Sequence, residues 1–334
     1  DQALCASVHT MTDPGSDVRV PITYATHSAS QATAQLAHIV PLLAEQFPLR
    51  NLHWRPPVTM QTLRPLKRSS GSSGMDSVPA LRTIQNLNVE LIPLATHLPN
   101  QQNVQILERV PCVHIFFVTC DDIDVYRAQV RNEIRHWLAT LRKHIPNDFD
   151  HLSTIRSDEQ DKAGTALPPE HLIVLLPPPS SGVFTASSAT SSGKSAMGRF
   201  YTMNKGTVLE KLRADFNSSA KEHVLTLSKL PTSSKDNDPA LWIDIIAHIK
   251  TCTLASLGRV LDMQDRVVSM YDESTKGVNW TLSGSITRKE FVIQTLEGLG
   301  LLHDVLHIYD TVETHLERCI ACLLYTSLMA RGRR

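Results

Sequence analysis

The stretch Cys112-Val-His-Ile-Phe-Phe-Val118 decides the fold of this chain. It is an almost unbroken apolar run rich in β-branched and aromatic residues, which is typical of a strand covered on both faces. Asp121, Asp122 and Asp124 follow it directly, and acidic side chains suit the first turn of a helix. The sequence therefore predicts a central strand that runs straight into a helix.

The apolar residues after this strand recur with the 3.6-residue period of an amphipathic helix. The predicted stripe consists of Tyr126, Val130, Ile134, Trp137, Leu138 and Leu141. The pattern ends on Arg142, Lys143 and His144, whose positive charge complements the helix dipole. Residues 111–145 are thus predicted to be one strand-to-helix unit.

Other apolar runs predict further strands. In residues 17–25 apolar and other residues alternate, which predicts a half-buried strand. Pro21 lies on the face opposite to the apolar residues, and a proline there indicates an edge strand. Residues 48–57 are expected to be extended. The remaining strand candidates are Leu87 to Leu91, Leu172-Ile-Val-Leu-Leu176, and Leu225 to Leu227. The order strand, helix, long loop, strand over residues 112–176 predicts a βαβ unit with parallel strands and a right-handed crossover.

Two helices flank these strands. One is capped by Ser28 or Ser30 and is kinked or shortened by Pro41. Its stripe consists of Ala32, Leu36, Ile39, Val40 and Leu43. The other begins with a capping box formed by Thr207 and Glu210.

Beyond Asp238 the strand period disappears and long helical stripes replace it. Asp238 and Pro239 are suited to begin a helix that carries its stripe from Trp242 to Tyr271 and ends near Lys276-Gly277. A capping box at Thr287 and Glu290 predicts the next helix, which Gly298 and Gly300 close. The stripe of the last helix is Leu302, Val305, Leu306, Tyr309, Val312 and Leu316. Three such helices suggest the start of an α-solenoid.

The predicted fold class is α/β, with a mixed, largely parallel sheet and flanking helices, followed by the start of an all-helical α-solenoid. The α/β domain spans residues 1–230, with disordered loops near 64–80, 146–168 and 178–198. The helical hairpins span 238–325. Residues 326–334 form a tail that is not expected to be native-like, and the chain is expected to be a piece of a longer protein.

Composition narrows the function classes. The chain of 334 residues has 33 basic and 33 acidic residues, so it shows no global preference for nucleic acid or anionic lipid. No stretch is expected to provide the roughly 20 apolar residues of a membrane span, which predicts a soluble protein. Six scattered cysteines indicate reduced cytosolic thiols rather than a disulfide framework.

The pair Asp122 and Asp124 is the one motif with a catalytic alternative. A DxD motif at the carboxyl end of a central strand can hold Mg²⁺ for phosphoryl transfer. A helix N-cap with first-turn acids explains the same residues without a metal. No second carboxylate cluster ends another predicted strand, so the cap is favoured.

Other motifs lack part of their pattern. Gly193-Lys-Ser195 resembles a phosphate loop but has Ser188 where glycine is required. His303 and His307 have the spacing of a zinc-protease helix, but Asp304 replaces its glutamate. Cys319 and Cys322 form a lone CxxC, interpreted as packing. The sequence thus predicts no catalytic, cofactor-binding or metal-binding residues.

Several segments, read in order, resemble the amino-terminal part of one family. That family is the large subunit specific to the TRAPP II vesicle-trafficking complex, the yeast one-hundred-and-thirty-kilodalton subunit or animal subunit ten. The segments are Pro48-Leu-Arg-Asn-Leu-His-Trp54, residues 120–137, Lys211-Leu-Arg-Ala-Asp-Phe-Asn-Ser218, Tyr271-Asp-Glu273, Gly277-Val-Asn-Trp280, and residues 289–310. Residues 64–80, 146–168 and 178–198 look like insertions, Val278 replaces a usual proline, and the tail after Leu323 does not resemble the family.

The resemblance implies a non-catalytic scaffold and specificity subunit of an assembly that tethers vesicles and activates a Rab GTPase by nucleotide exchange. The implied partners are other TRAPP subunits and, through the assembled complex, the Rab GTPase, with no nucleic acid and no cofactor. The implied location is peripheral, on the cytoplasmic face of the Golgi and trans-Golgi network. The basic stretch of residues 50–82 leaves open a weak contact with an anionic membrane, although a solvated loop is preferred.

Overall fold

The structure is a computed structural model that describes residues 18–56, 81–96, 106–143, 169–177, 207–231, 233–273 and 281–331. The three predicted disordered loops, Gly193-Lys-Ser195 and most of the basic stretch lie outside these residues. The strands are β1 (Arg19–Thr26), β2 (Leu49–Trp54), β3 (Arg82–Pro93), β4 (Val113–Val118), β5 (His171–Leu175) and β6 (Val224–Thr226). The helices are α1 (Ser30–Ala44), α2 (Ile106–Arg109), α3 (Ile123–Val125), α4 (Arg131–Lys143), α5 (Val208–Phe216), α6 (Ile243–Glu273), α7 (Leu282–Gly298) and α8 (Leu302–Arg331).

The six strands form one sheet in the order β2-β3-β1-β4-β5-β6. β2 pairs with β3 in antiparallel fashion, and all the other neighbours are parallel. This confirms the mixed, largely parallel sheet with flanking helices and the parallel pairing of β4 with β5. The right-handed crossover between these two strands stays a prediction.

β4 occupies an internal position, and each of its residues is buried. Its side chains alternate between two apolar clusters: Ile115 and Phe117 face one, and Phe116 and Val118 face the other. The first cluster includes side chains of α1 and α6, and the second includes those of α4 and α5. The continuous apolar run of β4 is therefore explained by helices on both faces of the sheet.

The helix after β4 is confirmed, but it contains a π-helical segment, Tyr126–Val130, between α3 and α4. All the predicted stripe residues are buried except Leu138, which is partly buried against the same cluster. The Tyr126 hydroxyl donates a hydrogen bond to Asp215 Oδ2 at 2.7 Å, and this joins the segment to α5. Such a bulge keeps the stripe facing the sheet while adding a residue to one turn.

The expectation that Pro21 marks an edge strand is wrong, because β1 lies between β3 and β4. The Pro21 carbonyl accepts a hydrogen bond from the Cys112 amide at 3.1 Å, so it faces the β4 side. In an extended strand the amide and carbonyl of one residue point to the same side. The missing N–H of Pro21 therefore faces β4, whose pairing with β1 begins only opposite Ile22, and no ladder bond is lost.

The predicted serine cap of α1 is also wrong. The helix begins after Ala29, which has no side-chain cap hydrogen bond. Ser28 instead bonds to Glu133 of α4, as described below. Pro41 lies inside α1, which continues to Ala44, so it does not end the helix.

The capping box at Thr207 and Glu210 is confirmed at the start of α5. The second predicted box, at Thr287 and Glu290, is wrong because α7 begins earlier. Thr281 caps α7 by accepting a hydrogen bond from the Gly284 amide, while Thr287 lies inside the helix and donates to the Ser283 carbonyl. Gly298 and Gly300 end the helix as expected, with Gly300 at a φ of 70°.

α6 begins as predicted, with Asp238 accepting from the Ala240 amide ahead of a 3₁₀ turn, Pro239–Trp242. By length and composition alone, the helix spanning Pro239–Asp272 is apolar enough to cross a membrane, contrary to the sequence-based expectation. Here its buried side chains join the sheet cluster that contains Ile115 and Phe117. A long helix that covers a sheet also carries an apolar stripe. The division of the chain near residue 230 stays a prediction.

α7 packs beside α6, and α8 packs beside α7. Val305 and Ile308 of α8 are buried, but Leu302, Leu306 and Tyr309 are exposed. The predicted stripe of this helix is therefore only partly correct, because it merges residues from two different faces. That these helices begin an α-solenoid stays a prediction.

Candidate functional site

The carboxyl ends of β1 and β4 form the position where an α/β sheet most often binds a ligand. These strands are neighbours, and the helices that follow them pack on opposite faces, α1 in one apolar cluster and α4 in the other. This arrangement is a topological switch point, where a crevice usually opens above the strand ends. Residues 27–28 and 119–124 occupy this position.

At this position His27 and Thr119 bond to each other. The Thr119 amide donates to Nε2 of His27 at 3.1 Å, and the Thr119 hydroxyl lies 2.9 Å from the same nitrogen. An amide can only donate, so Nε2 accepts and the ring carries its proton on Nδ1. His27 is only 4% exposed. Burial lowers the pKa of His27, although the nearby Glu133 carboxylate opposes that shift.

Beside this pair, the Glu133 carboxylate binds the start of α1. It accepts from the Ser28 amide and the Ser28 hydroxyl, both at 2.8 Å, and from the Gln129 side chain at 2.9 Å. Burial alone would raise the pKa of Glu133, but these hydrogen bonds outweigh it and the pKa is lowered. The carboxylate therefore holds the start of α1 against α4.

Asp121, Asp122 and Asp124 lie at the same edge. Asp122 Oδ1 accepts from the Asp124 amide at 2.8 Å and caps α3, which is the structural role favoured from the sequence. In the part of the chain that the structure describes, no three His, Cys, Asp or Glu side chains are placed to hold a metal. The magnesium alternative therefore finds no support in this geometry.

In the other two motifs that the structure describes, the residues of one motif have different surroundings. Asp304 is buried, and its carboxylate forms an ion pair with Arg82 on β3. Cys319 is half-buried, whereas Cys322 is exposed, so the expectation that both cysteines pack is wrong for Cys322. This end of α8 extends beyond the buried part of the helix.

A charged cluster at the opposite, amino-terminal edge of the sheet does not follow from any sequence motif. The Glu170 carboxylate forms ion pairs with Lys221 and with Arg259 of α6, the latter at 3.2 Å. Next to it, the rings of His171 and His223 stack in parallel at 4.3 Å. Burial lowers the pKa of His171 to about 4, so this ring is neutral near pH 7. These groups come from three separate segments of the chain and join β5, β6 and α6.

Comparison with known proteins shows similarity to one family. Residues 73–165 match a family model described as trafficking protein particle complex subunit 10-like, N-terminal. The chain is 20% identical over 275 residues to trafficking protein particle complex subunit 10 of Mus musculus, an alignment that covers 82% of this chain and 17% of the mouse protein. The protein of that name from Homo sapiens is 19% identical over 275 residues, with the same coverage.

These similarities indicate that the chain resembles subunit 10 of the trafficking protein particle complex. The family match includes β3, β4 and the helix after β4, and so the β4 side of the switch point. The chain spans about a sixth of the length of the curated relatives it matches, so the comparisons concern one region of a much longer protein.

Proposed function

We propose that this chain is part of a non-catalytic scaffold and specificity subunit of a multisubunit vesicle-tethering complex that promotes guanine-nucleotide exchange on a Rab GTPase. The observation that carries the proposal is the match of residues 73–165 to the subunit 10-like N-terminal family. The ordered segments quoted from the sequence agree with it and extend the resemblance from β2 to α8. They resemble the subunit specific to TRAPP II.

Several side chains at the switch point bond to neighbouring parts of the fold. His27 accepts a hydrogen bond from the Thr119 amide. Glu133 is held in hydrogen bonds to α1, and Asp122 caps α3. These side chains therefore have structural roles at this edge of the sheet.

In this proposal the α/β domain positions the helices that follow it. α6 to α8 are then the first helices of an α-solenoid, an architecture that offers extended surfaces to other proteins. The proposed partners are the other TRAPP subunits and, through the assembled complex, the Rab GTPase. The proposed location is the cytoplasmic face of the Golgi and trans-Golgi network, by peripheral association.

The test is affinity purification of the tagged protein from its own cells, followed by mass spectrometry of the proteins that remain bound. Other TRAPP subunits are expected in near-stoichiometric amounts, and a tagged unrelated α/β protein of similar size is the control. Recovery of none of these subunits would reject the proposal. Fluorescence microscopy against a trans-Golgi marker, with salt extraction of membranes, checks the proposed peripheral location.

A further inference from the structure

A buried lysine lies where α6, α7 and α8 meet. Lys289 of α7 is only 4% exposed, and a lysine is almost never fully buried unless it is paired. Its Nζ lies 3.0 Å from Oδ2 of Asp272 on α6 and 3.2 Å from Nδ1 of His315 on α8. One side chain therefore links the three helices through polar contacts.

The carboxylate of Asp272 has two partners on α7. Its Oδ1 accepts a hydrogen bond from the Ser285 hydroxyl at 2.6 Å, and its Oδ2 faces Lys289. Ser285 and Lys289 are four residues apart, so both lie on the same side of α7. Ser285 is also buried, at 2% exposed. The carboxylate therefore holds the Lys289 side chain between α6 and α8.

The contact between Lys289 and His315 fixes the protonation state of the imidazole. A lysine ammonium has three donors and no acceptor, so Lys289 donates in this hydrogen bond. Nδ1 of His315 must then accept, which means that the ring is neutral and carries its one proton on Nε2. A second proton would enter at Nδ1, against the ammonium. The hydrogen bond therefore exists only while His315 is neutral.

The charges that face His315 come from all three helices. Lys289 on α7 and Arg318 on α8 are positive, and Asp272 on α6 is negative. Burial lowers the pKa of His315 from its ordinary value of 6.5, and Lys289 and Arg318 lower it further, whereas Asp272 opposes the shift. The folded protein thus favours the neutral ring that the hydrogen bond requires.

The position of His315 along α8 determines which part of the helix depends on this contact. In the first turns of α8, Val305 and Ile308 are buried and Asp304 forms an ion pair with Arg82. His315 lies about two turns after Ile308 and is half-buried. Loss of its hydrogen bond would therefore affect the part of α8 that follows Ile308, while the first turns keep their own contacts.

We propose that Asp272, Lys289 and His315 form an acid-sensitive joint, in which protonation of His315 releases the part of α8 after Ile308 from α7. The added proton removes the acceptor for Lys289 and leaves two positive groups 3.2 Å apart. Asp272 does not offset both charges, because its carboxylate already accepts from Ser285 and pairs with Lys289.

The direction of the effect follows from proton binding. Because the pKa of His315 is lower in the folded protein than its ordinary value of 6.5, the unfolded segment binds a proton more readily. The stabilising contribution of this group is complete above a pH of about 6.5 and is lost as the pH falls. The joint is therefore closed near pH 7 and opens in acid.

The first experiment is NMR of the full chain with ¹⁵N-labelled histidine, recorded from about pH 5 to about pH 8. The variant His315→Asn identifies the His315 signals by their absence. Wild type is expected to show the Nε2–H tautomer of His315 near pH 7 and a pKa below 6.5. Lys289→Gln, which removes the positive charge but keeps a donor, is expected to raise that pKa.

The second experiment measures opening of the joint by hydrogen exchange at about pH 7.5 and about pH 5.5, corrected for the intrinsic exchange rate at each pH. His315→Asn is the matched variant, because its side-chain oxygen takes the place of Nδ1 and accepts from Lys289 at both pH values. On acidification, amides of α8 after Ile308 are expected to lose at least about 3-fold more protection in wild type than in this variant. Amides of α4 are the internal reference and should respond equally in both proteins.

Three results would overturn the proposal. The first is an Nδ1–H tautomer of His315 near pH 7, or a pKa at or above 6.5. The second is an equal loss of protection in α8 of wild type and His315→Asn. The third is a difference between the two proteins that is as large in α4 as in α8, which would indicate global unfolding. Circular dichroism and thermal melting at about pH 7.5 establish that each variant is folded, and the wild-type NMR titration decides the matter if a variant is not.

Discussion

The carboxylate of Asp304 on α8 forms a buried ion pair with the guanidinium of Arg82 at the start of β3. Arg82 Nη2 lies 2.7 Å from Oδ1, and Nε lies 3.2 Å from both carboxylate oxygens. The side chains are only 16% and 5% exposed, and 222 residues of sequence separate them. This ion pair links α8, the last described helix, to β3 and so helps to fix which face of α8 is exposed.

Asp304→Ala should therefore lower the free energy of unfolding by about 3 kcal/mol, because a partly buried guanidinium loses the carboxylate that compensates its desolvation. Urea unfolding monitored by circular dichroism measures the effect. Arg82→Met combined with Asp304→Leu should recover most of the loss, since an apolar pair of similar volume replaces the charges.

The matched control is Arg266→Ala, which breaks the 2.7 Å ion pair with Asp262 on the surface of α6. Arg266 is 68% exposed, and exposed pairs contribute roughly 0.2 to 1 kcal/mol. If Asp304→Ala costs no more than this control, the buried pair does not hold α8 in place.

Asp122→Ala tests the role of the aspartates after β4. Because Asp122 caps α3, the substitution should cost about 1 kcal/mol of stability and leave partner binding unchanged. Asp121→Ala, an exposed neighbour outside the cap, should stay within about 0.5 kcal/mol of wild type. Mg²⁺-dependent phosphoryl transfer that disappears with Asp122→Ala would instead establish the enzymatic alternative.

Features that depend on local sequence are predictable. The continuous apolar run of β4 predicts its burial, and Thr207, Asp122 and Asp238 have the side chains that their helix starts require. The cap at Thr287 is a wrong prediction because Thr281, six residues earlier, offers the same chemistry and the sequence does not rank the two. The contact between His27 and Thr119 could not be predicted from the sequence, since these residues are 92 positions apart and only the parallel pairing of β1 and β4 brings them together.

The buried side of α8 could not be predicted from the sequence either. Leu302, Leu306 and Tyr309 satisfy a helical period as well as the buried residues do, so periodicity alone cannot select the buried side. The choice depends on α7 and on Arg82, which belong to other parts of the chain. The sequence does carry one signal for the exposed side of α8, which is charge, because Glu313 lies on the same side as Leu302 and Leu306.

Trp137→Ala should lower the free energy of unfolding by about 3 to 5 kcal/mol, because a large buried ring is removed. Trp137 is 6% exposed, and its ring centroid lies 5.0 Å from that of Phe116 on β4. His136→Ala, at the exposed neighbouring position, is the control and should stay within about 0.5 kcal/mol. Equal effects of the two substitutions would mean that α4 does not pack on the sheet through this face.

Two helical glycines should respond to alanine in opposite directions. A Cβ at Gly284 would overlap the Tyr271 hydroxyl, which accepts a hydrogen bond from the Thr281 amide at 2.9 Å. Gly284→Ala should therefore cost about 1 to 3 kcal/mol. A Cβ at Gly258 would lie 3.5 Å from Trp54 Nε1, an ordinary contact, so Gly258→Ala should stabilise α6 by about 0.5 to 1 kcal/mol. Thermal melts of both variants check the contrast, and a stabilising Gly284→Ala would contradict it.

Acid should destabilise the protein through His171. Burial lowers the pKa of this histidine from 6.5 to about 4 in the folded state. Between these values the unfolded chain binds more protons than the folded one, so stability should fall by about 3 kcal/mol as the pH drops from about 6.5 to about 4. Urea unfolding at a series of pH values measures this slope. In His171→Gln that contribution should vanish. An unchanged slope in His171→Gln would show that the ring beside His223 is not the group responsible.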